Sequence, residues 1–347
     1  MIAQGGFVDQ AADEFEFFLE KQWSDGLPVV TPTEERVARM LAGTRAEPDQ
    51  ALGDIPPAMG PATVRTVAIH AVMAGCKPEY LPILLGAIPL LLRPELNLNA
   101  VQGTMGSAAP LLIVNGPYAK QVGLNGGNGC FGPGFRANAS IGRAIRLMLT
   151  NLGSGIPGIG SSTVFASPLR YTACLTENME LSPWESLAVS RGYAPGANII
   201  TCAMVDPPRY GFDDFSTEPG RLLTGIADSM SALNMMNMSV PRCAMVVAMC
   251  PTQARICAQA GMGRAAVVER LRELAGRPVR ELRRGGTWRT ERAEKLNIDF
   301  HNEDLFVPAI KHPDDLHLIV AGGLGPITAV LPGWGGGSIA VHGEYEV

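Results

Sequence analysis

The residues best suited to chemistry lie between Asn125 and Gly134, where Asn-Gly-Gly-Asn-Gly-Cys-Phe-Gly-Pro-Gly sets one thiol among five glycines and leads to Arg136. Glycine at that density lets backbone N–H groups turn inward. A loop that feeds a helix start then offers an anion both those groups and the positive end of the helix dipole. The spacing predicts a seat for a small anionic substrate, a carboxylate or phosphate, built from Asn125, Gly127, Asn128, Gly129 and Gly132. The planar fork of Arg136 is expected beside it. The loop lacks the Gly-Lys-Ser/Thr ending of a P-loop, and it opens about ten residues after the preceding strand pattern, which fits a dinucleotide fingerprint poorly. A purely structural loop is the plain alternative. Within the loop Cys130 is expected to have a lowered pKa and to act as a nucleophile. Cys76 is the second thiol candidate, because Gly75 ends one helical pattern and Lys77-Pro78-Glu79 starts the next.

Such chemistry needs a proton carrier. Glu177 and Glu180 are the candidates, with Asn178 between them as a further substrate contact. Ser182, Pro183 and Glu185 read instead as a capping box at a helix start. The five histidines are dispersed, and His70, inside an apolar helix, reads as a core residue. Seven scattered cysteines without a Cys-x-x-Cys pair give no structural zinc pattern, and no metal or cofactor is assigned. They suit a reduced, cytoplasmic protein, with Cys202, Cys243 and Cys257 as small core residues.

These side chains need a scaffold, and 347 residues suffice for two domains or one large one. Charged residues make up 18% of the chain, against a typical value of about 25%, which predicts a large interior or a homo-oligomer interface. Met230 to Met238 is the candidate interface segment. A net charge of −5 argues against a nucleic-acid partner. The longest apolar run, from Tyr80 to Leu92, is shorter than the about 20 residues that cross a bilayer, and no export signal is visible at the start, so no membrane role is expected.

Helices are predicted at 11–23, from a capping box at Thr31-Pro32-Thr33-Glu34 to Leu41, at 61–74, and again after Cys76. Further helices are predicted at 136–151, 218–236 and 263–275. Strands are predicted at 111–114, 198–205, 243–249 and 316–321, and their continuous apolar character suggests parallel pairing. Residues 44–60 read as a polar connection, 153–167 as a surface loop or lid, and the end of the chain as a glycine-rich tail. Leu112 to Gly123 echoes Val247 to Gly261, each a strand followed by Pro117 or Pro251, and Gly142-Arg143 and Gly263-Arg264 follow in turn. Leu316 to Gly323 begins a weaker third copy. The expected fold is α/β, with duplicated strand–helix units around a mainly parallel sheet and a helical N-terminal portion. Its divisions are 1–60, an N-terminal segment packed on the core; 61–197, a first half with the glycine loop; and 198–347, a second half.

Several phrases occur as a set: Asp25-Gly-Leu-Pro-Val-Val, Ala71-Val-Met-Ala-Gly-Cys-Lys-Pro-Glu-Tyr80, Pro110-Leu-Leu-Ile-Val-Asn-Gly-Pro117, Arg136-Ala-Asn-Ala-Ser-Ile-Gly-Arg143, Glu177-Asn-x-Glu-x-Ser-Pro-Trp-Glu185 and Val320-Ala-Gly-Gly323. Together they resemble a poorly characterised bacterial family associated with UGSC-type (seleno)cysteine domain proteins. The resemblance spans nearly the whole chain and implies a thiol-linked setting. This chain has no UGSC motif, so the resemblance implies a separate thiol or selenoprotein partner. The expected function is cysteine-dependent hydrolase or lyase chemistry on a small anion. The alternatives are a thiol redox enzyme with an external reductant, and a non-catalytic binding or assembly protein.

Overall fold

The computed structural model describes residues 14–347. Residues 11–13 of the first expected helix lie outside the described residues; of the rest, α1 (Glu14–Glu20) forms and buries Phe18, while Lys21, Gln22 and Trp23 turn out of it. The second helix, α2 (Glu34–Leu41), is capped by Thr33, whose hydroxyl accepts from the Arg36 amide. The expected cap, Thr31, is occupied elsewhere. Its hydroxyl donates to Glu14 and its carbonyl accepts from the Arg36 guanidinium. The predicted polar connection holds a hairpin, β1 (Ala51–Ile55) against β2 (Gly60–Thr63), which leads into α3 (Val64–Met73). Next come α4 (Leu81–Leu91) and α5 (Leu98–Gly103). The apolar α4 is a core helix, and no single helix among the described residues is long and apolar enough to cross a membrane.

The rest of the chain builds two four-stranded sheets by one connection pattern. In the first, β3 (Ala109–Asn115) is followed by α6 (Pro117–Gln121) and α7 (Arg136–Asn151). The chain then forms β4 (Cys174–Leu175), parallel to β3, passes the short α8 (Leu187–Ser190), and returns as β5 (Ile199–Val205), antiparallel on β3's other side. Then β6 (Arg209–Phe212) and α9 (Pro219–Ser229) lead to the second sheet. There β7 (Met245–Met249) is followed by α10 (Pro251–Gln259) and α11 (Arg264–Leu274). A two-stranded pair, β8 (Gly276–Pro278) with β9 (Phe306–Pro308), intervenes before β10 (Leu316–Val320), parallel to β7, and β11 (Ile327–Leu331), antiparallel on its other side. The fourth strands are exchanged: β6, which follows β5, pairs with β11, whereas β12 (Val341–Glu344), which follows β11, pairs with β5.

The fold is therefore mixed α/β, but the sheets are not mainly parallel: four of their six pairings are antiparallel. The apolar strands misled because both faces of each are buried, which is the usual mark of parallel sheets. Here the burial comes from four layers. Leu112 and Val114 of β3 face the first half's helices, while Leu111 and Ile113 face the other sheet; Val247 of β7 faces its own helices, while Val246 and Ala248 face inward. The two sheets thus pack on each other between two helical layers. Within the methionine segment Met230, Met235 and Met238 lie in the second half's core, and Met236 is exposed.

The sequence echo has a structural counterpart, with one correction. Pro117 and Pro251 both open helices after a central strand, and Gly123 and Gly261 both turn the chain afterwards with positive φ. The Gly-Arg pairs do not correspond. Gly142-Arg143 lies inside α7, whereas Gly263 caps α11 and Arg264 is its first residue, the place Arg136 holds in α7. Leu316 to Gly323 leads into a strand instead of a helix.

Candidate functional site

The carboxyl ends of the two parallel strand pairs converge. Asn115 and Gly116 end β3, Thr176 and Glu177 follow β4, Cys250 follows β7, and Ala321 to Gly323 follow β10. Together they line two adjoining cavities of about 1110 and 440 Å3 that share Asn128, Gly323 and Leu324. Strand ends of this kind are where α/β sheets place ligands. The glycine loop fills the same space, as an insertion between α6 and α7; the matching connection between α10 and α11 is only residues 260–263.

Asn138, buried in the first turn of α7, clamps the loop. Its Nδ2 donates to the carbonyls of Asn125 and Cys130, and its Oδ1 accepts from the Asn125 amide. A close approach fixes the loop's other side: a Cβ on Gly126 would sit 2.5 Å from the Thr176 carbonyl oxygen and from the Glu177 backbone. The second half holds it too, since the Gly322 amide donates to the Gly126 carbonyl at 2.8 Å. Not every loop amide faces a ligand. Those of Gly127, Cys130 and Gly132 bond to Asn125 Oδ1, the Gly127 carbonyl and the Gly129 carbonyl, which corrects the expectation of a fully inward-turned nest.

Cys130 lines the smaller cavity at the edge of the inter-sheet core and is 5% exposed. Burial pushes its thiol above the ordinary value, while hydrogen bonds from the backbone of Gly322, Cys130 and Phe131 pull it part of the way back. The expected lowering is therefore corrected, because loss of water outweighs the amides. Two residues missed in the sequence share the cavity. Cys250, the N-cap of α10, donates its thiol to the Gly325 carbonyl at 2.7 Å. Tyr210 lies near enough for Cys130 to help burial raise its phenol pKa. Proline after Cys250, matching Pro117 in the echo, was the one available signal for that thiol.

Asn125, Gly127, Asn128, Glu177, Asn178 and Glu180 line the larger cavity, and Gly129 and Gly132 the smaller. Asn178 holds the two halves in register, with its amide bonded to the Val320 carbonyl and Nδ2 to that of Gly322. Glu177 is not free to carry protons. One oxygen pairs with Arg264 Nη2 at 2.8 Å, and the other accepts from Asn115 Nδ2 and the Leu187 amide. Arg264, also missed in the sequence, reaches it from α11 in the other half. Glu180 is exposed and paired with Lys120. The predicted capping box does not form; Ser182 bonds locally to Trp184, and Ser186 caps α8.

Arg136 and Cys76 are not at this site. They share a separate 260 Å3 cavity with Arg36 and Arg39, where Arg136 Nε donates to the Gly75 carbonyl at the end of α3. Burial pushes the Cys76 thiol up to about 12. His70 is buried, with Nδ1 on the Thr66 carbonyl and Nε2 unpartnered. Among the described residues, no group of three or more His, Cys, Asp or Glu side chains could hold a metal ion. Set against family models, curated proteins and solved structures, the chain matches none.

Proposed function

We propose that the protein is an enzyme that attacks a small carboxylate or phosphate compound with Cys130, in a hydrolase or lyase reaction. The observation that carries this reading is the position of the Cys130 sulfur, in a cavity at four converging strand ends with the backbone of Cys130, Phe131 and Gly322 around it, the Cys130 and Gly322 amides being already bonded to the Gly127 and Gly126 carbonyls. The substrate's anionic group would rest on Asn128 and the loop backbone, with its electrophilic carbon toward the sulfur. Burial keeps the resting thiol protonated, so its proton departs with the leaving group as the S–C bond forms. Water then breaks that bond in a hydrolase, or in a lyase the sulfur is expelled as the neighbouring carbon gives up a proton to it and a double bond forms; either restores the thiol. Glu177, Asn178 and Asn138 position the loop. Seven free cysteines suit a reducing, cytoplasmic setting. The shared strand order further supports descent of the two halves from one duplicated strand–helix unit.

Iodoacetamide labelling across pH 5–9, read by mass spectrometry, tests the reading. Cys130 is expected to react well before the enclosed Cys174 and Cys202, at a rate that climbs toward high pH, and small carboxylates or phosphate should protect it. Reaction no faster than at Cys174, or no protection by any anion, would sink the nucleophile.

One observation favours a second reading, a thiol redox enzyme: Cys250 faces the same cavity as Cys130. Two thiols would pass two electrons and two protons to an external disulfide and become a disulfide themselves, to be reset by a separate thiol or selenoprotein. A 2-dalton loss localised to a Cys130–Cys250 peptide pair after treatment with a small disulfide would favour it over the first reading.

A further inference from the structure

A second cavity, remote from the thiols, carries an unbalanced pair of guanidinium groups. It has a volume of about 340 Å3 and lies between α1, α7 and the loop at 153–170. Arg146, on α7, is held from two sides: Nε donates to Thr150 Oγ1 and Nη2 to the Gly155 carbonyl. Arg170 is fixed by three bonds, from Nε to the Ala108 carbonyl, Nη1 to Ser161 Oγ and Nη2 to the Gly106 carbonyl. All these acceptors are neutral. The cavity's one carboxylate, Asp25, is taken by Arg143, which grips both its oxygens at 2.8 Å.

Charge therefore does not balance at the cavity wall. Burial and the neighbouring charge of Arg170 push the Arg146 guanidinium down to about 10, with Asp25 pulling the other way. Asp206 offsets Arg170 in part, while also facing Arg209. Two like charges held rigidly beside one space, and short of counter-charge, are stabilised by an anion that enters it. The remainder of the lining is largely apolar, with Leu19, Ile156, Pro157 and Ala166. A bare inorganic ion would leave that surface wet, whereas an organic acid covers it. The volume lies near the lower end for small-molecule sites, about 300–1,000 Å3, which sets the ligand's size.

We propose that this cavity binds a small monocarboxylate with an apolar body, its carboxylate against Arg146 and Arg170 and its body against Leu19 and Ile156. The site is distinct from the Cys130 cleft and does not depend on the reaction proposed there.

Isothermal titration of the full chain with benzoate and hexanoate, against benzamide, hexanamide and inorganic phosphate, tests it. Both carboxylates should bind saturably, with the amides and phosphate at least tenfold weaker. Ser167→Phe, which fills the cavity from the loop and spares both guanidiniums, should remove one carboxylate site and leave only what the Cys130 cleft binds, and Arg146→Met should weaken that same site at least tenfold. Cys130→Ser should bind as the parent does. Amides equal to acids would reduce the site to an apolar hole, and phosphate equal to carboxylates to a general cationic patch; either overturns the proposal. So would carboxylate binding that Ser167→Phe leaves unchanged, or loss in Cys130→Ser of the component that Ser167→Phe removes, since the acid would then sit elsewhere.

Discussion

At the scale of single residues, burial decides most of the chemistry. His70 shows the sign. Its surroundings lower its pKa from about 6.5 to about 4 because the charged ring would lose water in the core. As pH falls, the unfolded chain takes up that proton before the folded one. The contribution is thus whole above about pH 6.5, is lost between there and about pH 4, and amounts to about 3 kcal/mol at about 1.36 per unit. His342, lowered by burial to about 4, acts in the same window, and burial lowers His317 as well. Urea unfolding at pH 7, 6, 5 and 4.5 should show stability falling throughout, with a shallower fall in His70→Gln; equal slopes would remove His70 from the account. The same rule explains what the sequence did and did not show. Cys130 was legible as a cavity thiol because glycines mark a backbone-lined loop. The raised pKa was not, because nothing in Asn125–Gly134 reveals that the second half's Gly322 turn closes over it. Arg136 misled for a related reason: adjacency along the chain does not say that its side chain turns back to cap α3.

Among the elements, the central strands and the long α7 were readable from apolar runs and helical spacing, and their bounds fall within two residues of expectation. What was hidden is how β6, β11 and β12 pair. Each is short, and the last two lie in a stretch that reads as a glycine-rich tail, yet β11 makes the second sheet mixed, as the antiparallel β5 makes the first, and β6 and β12 complete the two sheets. Strand exchange between distant segments leaves no local signal. The glycine loop is an element in its own right, with contacts that can be broken one at a time. Gly126→Ala puts a methyl group against the Thr176 and Glu177 backbone, which cannot rotate away. Overpacking of that kind costs about 1–3 kcal/mol. Far-UV circular dichroism should be unchanged, while Cys130 labels faster as the loop lifts from β4. Asn138→Ala removes the loop's clamp from the other side and should act in the same direction, leaving the Asn125 and Cys130 carbonyls without their side-chain donor at about 1–3 kcal/mol. Unaltered Cys130 labelling in both variants would mean that the loop is held by neither contact.

The whole molecule is two half-structures held together by the facing sheets, the exchanged fourth strands, the bonds of Asn178 and Gly126 to the Val320–Gly322 segment, and the buried pair of Glu177 with Arg264. The pair is the most specific of these. Its side chains are 0% and 3% exposed, Glu177 comes from the end of β4 in the first half, and Arg264 comes from the first residue of α11 in the second. Arg264 also donates to the carbonyls of Leu318 and Glu185, so it ties β10 and the segment before α8 to the same carboxylate. Removing one partner leaves a buried charge uncompensated and costs about 3–5 kcal/mol, more than an intact pair contributes over an apolar substitute. Glu177→Gln should therefore lower the urea midpoint sharply, and Glu177→Leu combined with Arg264→Met should recover part of the loss, because no lone charge remains. The cycle also separates structure from catalysis. If Glu177 moved protons at Cys130, Glu177→Gln would fold as the parent does and lose only its thiol chemistry. A stability within about 0.5 kcal/mol of the parent together with silent Cys130 chemistry would make it a proton carrier after all; a large loss relieved in the double variant makes it the bolt between the halves, with the cleft's shape depending on it.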